Sequence, residues 1–204
     1  MSGAQAQDVR PGRPRRSSRE MLEEAAAELF LEQGYATTTV EHITQRAGVS
    51  RATFFNYFAA KSDLLWVHFD AIAGSLGGQL ASIPKERPAV PAVREAVVAL
   101  AAEFGPERIP WAVTERELIV TGGEFEASGL PRFAALARLI RNFVAERIGC
   151  DRGNLLAGAF AAAVIAAVAS AAGAWAADSA SRGSLAPYVD AAITPICEGF
   201  AALL

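Results

Sequence analysis

Cysteine and histidine are scarce in this chain, two of each in 204 residues, and the scarcity excludes several chemistries at once. Cys150 and Cys197 show no CxxC spacing, and His42 and His68 stand far apart with no clustered cysteine, so neither a metal site nor a disulfide framework is expected. No cofactor is expected either. A GxSxG elbow, a P-loop, a GxGxxG fingerprint and a histidine paired with a plausible nucleophile are all missing, and catalysis has no visible support. The basic residues near the start are followed by no apolar run, so a secretory signal is not expected and a reducing cytoplasm fits. Nor is there an excess of one charge: 19 Lys and Arg face 22 Asp and Glu, a net of −3, while 52% hydrophobic and 20% charged residues mark a globular chain rather than a disordered one.

What is present centres on Thr39 to Lys61, TVEHITQRAGVSRATFFNYFAAK. Thr39 can cap a helix whose buried face is Val40, Ile43 and Ala47 at helical spacing. Gly48 tolerates the left-handed backbone that ends one helix, Val49 turns inward, and Ser50 caps the next. In that second helix, Arg51 to Tyr57, Phe54 and then Phe58 face inward, which leaves Arg51, Ala52, Thr53, Phe55, Asn56 and Tyr57 facing outward. This is a helix-turn-helix pattern, and its chemistry suits a major groove. Arginine can fork onto O6 and N7 of guanine, threonine offers a hydroxyl and a methyl, and alanine allows close approach. Tyr57 and Lys61 are candidate phosphate contacts, which fix register without reading sequence.

The stretch from about Glu20 through Leu65 resembles the TetR family of one-component transcriptional regulators. LFLEQGY, TTTVEHI, AGVS, ATFFNYF and KSDLL carry the likeness. Many family members have tyrosine where this chain has Phe55, a departure that removes a phosphate-contacting hydroxyl and favours thymine-methyl contact. The resemblance implies double-stranded DNA as a partner, read at a near-palindromic operator by a homodimer, and a small-molecule effector.

Charge divides by region: residues 1–61 carry a net of +1 and residues 62–204 a net of −4. A basic face must therefore be local, built from Arg10, Arg13, Arg15, Arg16 and Arg19 and from Arg46, Arg51 and Lys61, with glutamates 20, 23, 24, 28 and 32 as the opposing solvated face. Three domains are expected: a disordered basic arm over 1–16, a DNA-binding head over 17–61, and a ligand-binding and dimerising body over 62–204. The arm is either a solubilising tail or a minor-groove contact. Ser17 and Glu20 form a capping-box pattern, and Leu22, Ala25, Ala26, Leu29 and Phe30 make the apolar stripe of the first helix, which Gly34 ends.

A long helix is expected from Lys61 to about Ser82, weakened by Gly74, Gly77 and Gly78 at about 1 kcal/mol each relative to alanine. After a loop of prolines, further helices are expected from Ala92 to Phe104, up to Val120, and from Pro131 through Arg147. Residues 155–177 hold no charge and are long enough to span a bilayer of about 30 Å, but thirteen of these twenty-three are alanine. The larger Leu156, Phe160, Val164, Val168 and Trp175 gather on one side and small residues on the other, a division that suits a helix buried between its own core and a partner better than one facing lipid. A last amphipathic helix is expected from Tyr188 to Leu204.

The expected fold is all-α, about nine helices, with a three-helix head and a larger helical body. Trp66, Phe69, Phe104, Trp111, Phe133, Phe143 and Phe160 are candidate pocket walls for an apolar or amphipathic ligand, with Arg116 as a polar neighbour; core packing is the competing use of each. Ala163, Ala167, Ala171, Ala174, Ile193 and Phe200 are candidate dimer residues, because the resemblance implies an interface made by the last two helices. The expected function is a homodimeric repressor released by a small molecule, not bound to a membrane. The alternatives are an enzyme that uses the apolar body as a substrate cavity and a membrane-anchored helix-turn-helix sensor.

Overall fold

A computed structural model describes residues 17–105, 124–178 and 183–204, and every regular element among them is helical. The arm over 1–16, Trp111, Arg116 and the helix expected up to Val120 lie outside the described residues. The chain separates into two compact units, divided between Ala59 and Ala60.

The head holds α1 (Ser18–Gln33), α2 (Val40–Ala47) and α3 (Arg51–Phe55). The Glu20 N–H donates to Ser17 Oγ at 3.2 Å and the Ser17 N–H to Glu20 Oε2 at 2.9 Å, so the capping box satisfies two otherwise orphaned donors. Leu22, Ala25, Ala26, Leu29 and Phe30 are buried, as the stripe predicts. Tyr35, Ile43, Phe54 and Phe58 complete the core of the head. In α2 the buried residues are Ile43 and Thr44, while Val40 and Ala47 are only half-buried.

In the body, the helix expected from Lys61 to Ser82 is three pieces: a 3-10 turn (Lys61–Trp66), α4 (Val67–Ala73) and α5 (Leu76–Ser82). The break falls at Gly74 and Ser75, where the Ser75 N–H reaches only to Ile72 O at 3.0 Å and tightens the last turn. Next, α6 (Ala89–Ala102) starts before the expected Ala92 because Pro91 fits within a first turn, where a missing N–H costs nothing. Helix α7 (Glu124–Ile148) carries Pro131 inside rather than at its start. In the turn that this proline disturbs, Arg132 Nη1 donates back to the Ser128 carbonyl at 2.6 Å.

Helix α8 (Leu155–Ala177) spans the expected residues, with the Asn154 side chain accepting from the Ala157 N–H at 3.1 Å as its cap. Its inward face is Ala157, Phe160, Ala161, Val164, Ala171 and Trp175, which packs on α7 and on α9 (Ala186–Phe200) and shares one apolar core with Ile140, Val144, Val189 and Ile193 of those helices and with Val93 and Val97 of α6. Leu156 differs from expectation: it is 38% exposed, because the α8 face that turns inward is centred on Phe160 and Val164. Opposite lie the exposed Ala159, Ala162, Ala166, Ala169, Ser170 and Ala174. By length and composition α8 could cross a membrane.

Candidate nucleic-acid interface

Local chemistry fixes the turn between α2 and α3. Thr39 Oγ1 accepts from the His42 N–H at 3.1 Å to start α2. Gly48 ends it at φ 68° and ψ 30°, and the Val49 N–H closes onto Thr44 O at 3.0 Å. Ser50 Oγ then accepts from the Thr53 N–H at 3.0 Å and sits 2.8 Å from the Thr53 hydroxyl. Phe54 is fully buried and Phe58 nearly so, which holds α3 by its inner side. Arg51, Ala52, Phe55, Asn56 and Tyr57 are exposed and Thr53 half-exposed. Thr39 and Ser50 therefore act as caps as well as outward-facing residues. Lys61 belongs to the body, where it opens the 3-10 turn.

Electrostatics refines the expected basic face. Arg46 is committed to α1: it donates to Glu28 at 2.9 Å and to both oxygens of Glu32 at 3.0 and 2.7 Å. Hydrogen bonding to these carboxylates raises the Arg46 pKa, and the Arg46 bond holds Glu32 below the usual carboxylate range. Arg19 is likewise paired with Glu23 at 2.8 Å and lies 5.3 Å from the Phe58 ring centroid. Neither arginine therefore stands apart from acidic partners, and the glutamates of α1 are not merely a solvated face. Arg51 is different. It donates through Nη1 to Glu41 Oε1 of α2 and lies 5.6 Å from the centroid of the Phe55 ring, both at the outer surface.

In the body, Trp66, Phe69 and Phe133 come together with ring centroids 5.4 to 5.7 Å apart, all edge to face. Trp66 Nε1 donates to Ser128 Oγ at 2.8 Å. A Cβ on Gly129 would meet the Trp66 ring at 2.8 Å, so α7 approaches the 3-10 turn closely only because that position is glycine. Arg132 grips Asp70 at 2.8 to 3.0 Å and Asp63 at 3.2 Å and lies over the Trp66 ring. Burial opposes its charge, but the two carboxylates outweigh that and raise its pKa. Asp63 also accepts from the Ala60 N–H at 3.0 Å. No spacing rule in the sequence marks this network, since Arg132 lies more than sixty residues from both of its carboxylates.

The remaining candidate pocket walls are dispersed. Phe104 and Phe160 are core residues, Phe160 packing on Phe200 at 5.4 Å, and Phe143 lies under Arg147 at 4.6 Å. Among the candidate dimer residues, Ile193 is fully buried within its own chain and Ala171 is 5% exposed, so both face the core; the aliphatic spacing of α9 and α8 shows a stripe but not which side a partner would take. Ala163 and Ala167 are half-buried, Ala174 exposed and Phe200 half-buried. A groove of about 690 Å³ lies elsewhere, along α6 and α9, lined by Val90, Val98, Thr194 and Cys197 and crossed by the Arg94 and Asp190 ion pair at 2.7 Å. Gln79 Oε1, Arg141 Nε and Asn142 Oδ1 are buried without a hydrogen-bond partner. His42 and His68 are exposed, and the described residues contain no cluster able to hold a metal.

A capped helix-turn-helix with an outward-facing second helix, joined to a helical body, defines a class of DNA-binding regulator. The sequence comparisons place it: residues 22–66 match the bacterial regulatory proteins of the tetR family, and residues 87–201 match the MftR C-terminal domain. The chain belongs to the TetR family of DNA-binding transcriptional regulators, and to its members with an MftR-type C-terminal domain, rather than to any class of enzyme. A Mycobacterium tuberculosis protein named for transcriptional regulation of mycofactocin biosynthesis, MftR, is 30% identical over 142 residues, 70% of this chain and 71% of that protein. The regulator TcmR of Streptomyces glaucescens is 44% identical over 57 residues, 28% of this chain and 25% of TcmR. Among solved structures, the TetR-family repressor FadR of Thermus thermophilus, in complex with lauroyl-CoA, superposes with a TM-score of 0.64 at 23% identity, covering 89% of this chain and 94% of FadR.

Proposed function

We propose that this protein is a cytoplasmic, homodimeric transcriptional repressor that reads a near-palindromic operator and is released from it by an amphipathic small molecule. The observation that carries the DNA half is the outward set on and around α3: Arg51, Ala52, Thr53, Phe55, Asn56 and Tyr57 exposed or half-exposed around a buried Phe54. Arg51 and Thr53 are the base readers, Phe55 contacts a thymine methyl, and Tyr57 and Lys61 hold phosphates. Arg51→Ala should cost about 1 to 3 kcal/mol at one base pair and relax preference there. Lys61→Ala should weaken binding to all duplexes and flatten the salt dependence by about one unit of slope. Isotherms on selected and scrambled duplexes at several salt concentrations decide between these roles, and equal losses on both duplexes would remove Arg51 from base reading.

For assembly, the side of α8 that carries Ala162, Ala166 and Ala169 is exposed and small, and it suits a partner helix at close approach better than lipid. Ala166→Arg should split the dimer by burying an unpaired charge, and sedimentation reads this directly. A dimer left intact would place the interface elsewhere. Pelleting of the protein with membranes, released only by detergent, would favour the anchored alternative.

For the ligand, FadR with its lauroyl-CoA suggests the probe, a molecule with a polar end and an apolar body. Lauroyl-CoA is expected to raise the melting temperature and to release operator. A tenfold release requires about 1.4 kcal/mol of differential affinity, and operator must weaken ligand binding by the same factor. Tight binding that left operator affinity unchanged would end the inducer mechanism.

A further inference from the structure

We propose that Glu41 is a positioning residue for sequence readout, holding the Arg51 guanidinium against Phe55 in the orientation in which it meets a base edge; the proposal rests on the base-reading role of Arg51. Three observations support it. Arg51 donates to Glu41 from one nitrogen, Nη1, so part of its planar fork is left for a base, whereas Arg46 spends two nitrogens on Glu28 and Glu32. Phe55, one turn along α3, lies 5.6 Å from the same guanidinium, and two neighbours define a direction that one could not. The side chains of Arg51 and Glu41 are 63% and 60% exposed, and a pair so open contributes little to folding, so stability is a poor account of its presence.

A carboxylate at this place also repels every phosphate backbone, whatever the sequence. Glu41 thus weakens general DNA affinity while sharpening choice, and its removal should move the two properties in opposite directions. An unconstrained Arg51 would reach phosphates and bases alike. The carboxylate would also disfavour approach to the wrong register, where it would meet a phosphate rather than a groove edge.

The test uses the full chain and duplexes selected by it from a random library, each compared with a scrambled duplex. Glu41→Ala should bind the scrambled duplex more tightly than the wild type. It should lose about fivefold or more of its discrimination at one base pair per half-site, the lower end of what a bidentate arginine supplies. Glu41→Gln keeps an oxygen acceptor without the charge, and should gain scrambled affinity similarly while retaining more of the discrimination. In an Arg51→Ala background the effect of Glu41→Ala on discrimination should vanish. In the DNA-free protein, the Arg51 side-chain NMR signals should be ordered in the wild type and averaged in Glu41→Ala.

If Arg51→Ala relaxes the preference but Glu41→Ala shifts both duplexes by one common factor, the positioning role is wrong while base reading by Arg51 stands. An effect of Glu41 that persists unchanged without Arg51 overturns it equally. If Arg51→Ala leaves discrimination intact, the base-reading role falls and the proposal falls with it.

Discussion

In the head, helices of 16, 8 and 5 residues are held by end caps at Ser17, Thr39 and Ser50, by one left-handed glycine at Gly48, and by a core of a few large side chains. In the body, helices of up to 25 residues share one continuous apolar cluster, and one arginine, Arg132, joins elements more than sixty residues apart. A five-residue helix such as α3 is far too short to persist alone, so its caps and Phe54 must supply what length cannot. The comparison teaches where each unit is fragile: the head at its ends and turns, the body in its packing.

The largest effect should come from the body's core. Phe160 is fully buried against Phe200, and Phe160→Ala should cost about 3 to 5 kcal/mol, seen as a lower denaturant midpoint. Amide exchange should accelerate in α6, α8 and α9 while protection in α1 to α3 is kept. Equal loss of protection in the head would break the comparison, because the two units would then share one stability. Next in size is Arg132→Met, which removes the guanidinium that the half-buried Asp63 and Asp70 share and should cost about 1 to 3 kcal/mol. The same experiment on the exposed Arg87 and Glu95 pair should be nearly silent.

Two glycines sharpen the contrast with opposite signs. A Cβ would meet nothing within 4 Å at either Gly48 or Gly78, so space does not decide the outcome. Gly48 has φ 68°, and Gly48→Ala should destabilise by about 1 to 2 kcal/mol through the backbone alone. Gly78 lies within α5 at no such angle, and Gly78→Ala should stabilise by about 0.5 to 1 kcal/mol. Melting temperatures of the two variants moving in the same direction would overturn this account of the turn.

The same contrast explains what could be read from the sequence. Caps, stripes and the Gly48 turn are decided by residues within about one helical turn of each other, so Ser17 with Glu20, the α1 stripe, and the outward set on α3 were all legible. The extent of α8 was legible from its lack of charge, since the run over 155–177 stops at Asp178; its Asn154 cap is seen only in the structure. Where prolines or glycines sat inside a helical run, the local rule failed. Pro131 lies within α7, where Arg132 bonds back to the Ser128 carbonyl, and the stretch from Lys61 is in three pieces, interrupted at Gly74 and Ser75. The pairing of Arg46 with α1 and of Arg51 with Glu41 depends on how helices cross, which no spacing reveals. Helical spacing alone puts Phe160, Val164 and Trp175 of α8 on the core side, where they are buried, and Leu156 with them, which instead stays exposed at the edge of that face.

The smallest expected effect concerns pH and again separates the units. Glu32 has its pKa lowered from 4.5, chiefly by its hydrogen bond to Arg46, so the folded head favours the ionised carboxylate more than the unfolded chain does. A group depressed in this way contributes stability that is complete above its unfolded value and is lost as pH falls through the folded one. The contribution to head stability should thus be constant down to about pH 4.5 and decline below it. Both side chains are solvent-facing, so the decline should be shallow and weaken further with added salt. Glu32→Gln should lower the head's neutral-pH stability slightly and flatten its acid limb by the same small amount, as amide exchange in α1 and α2 between pH 3 and 7 would report. An acid limb of full slope in Glu32→Gln would assign the pH dependence to carboxylates other than Glu32.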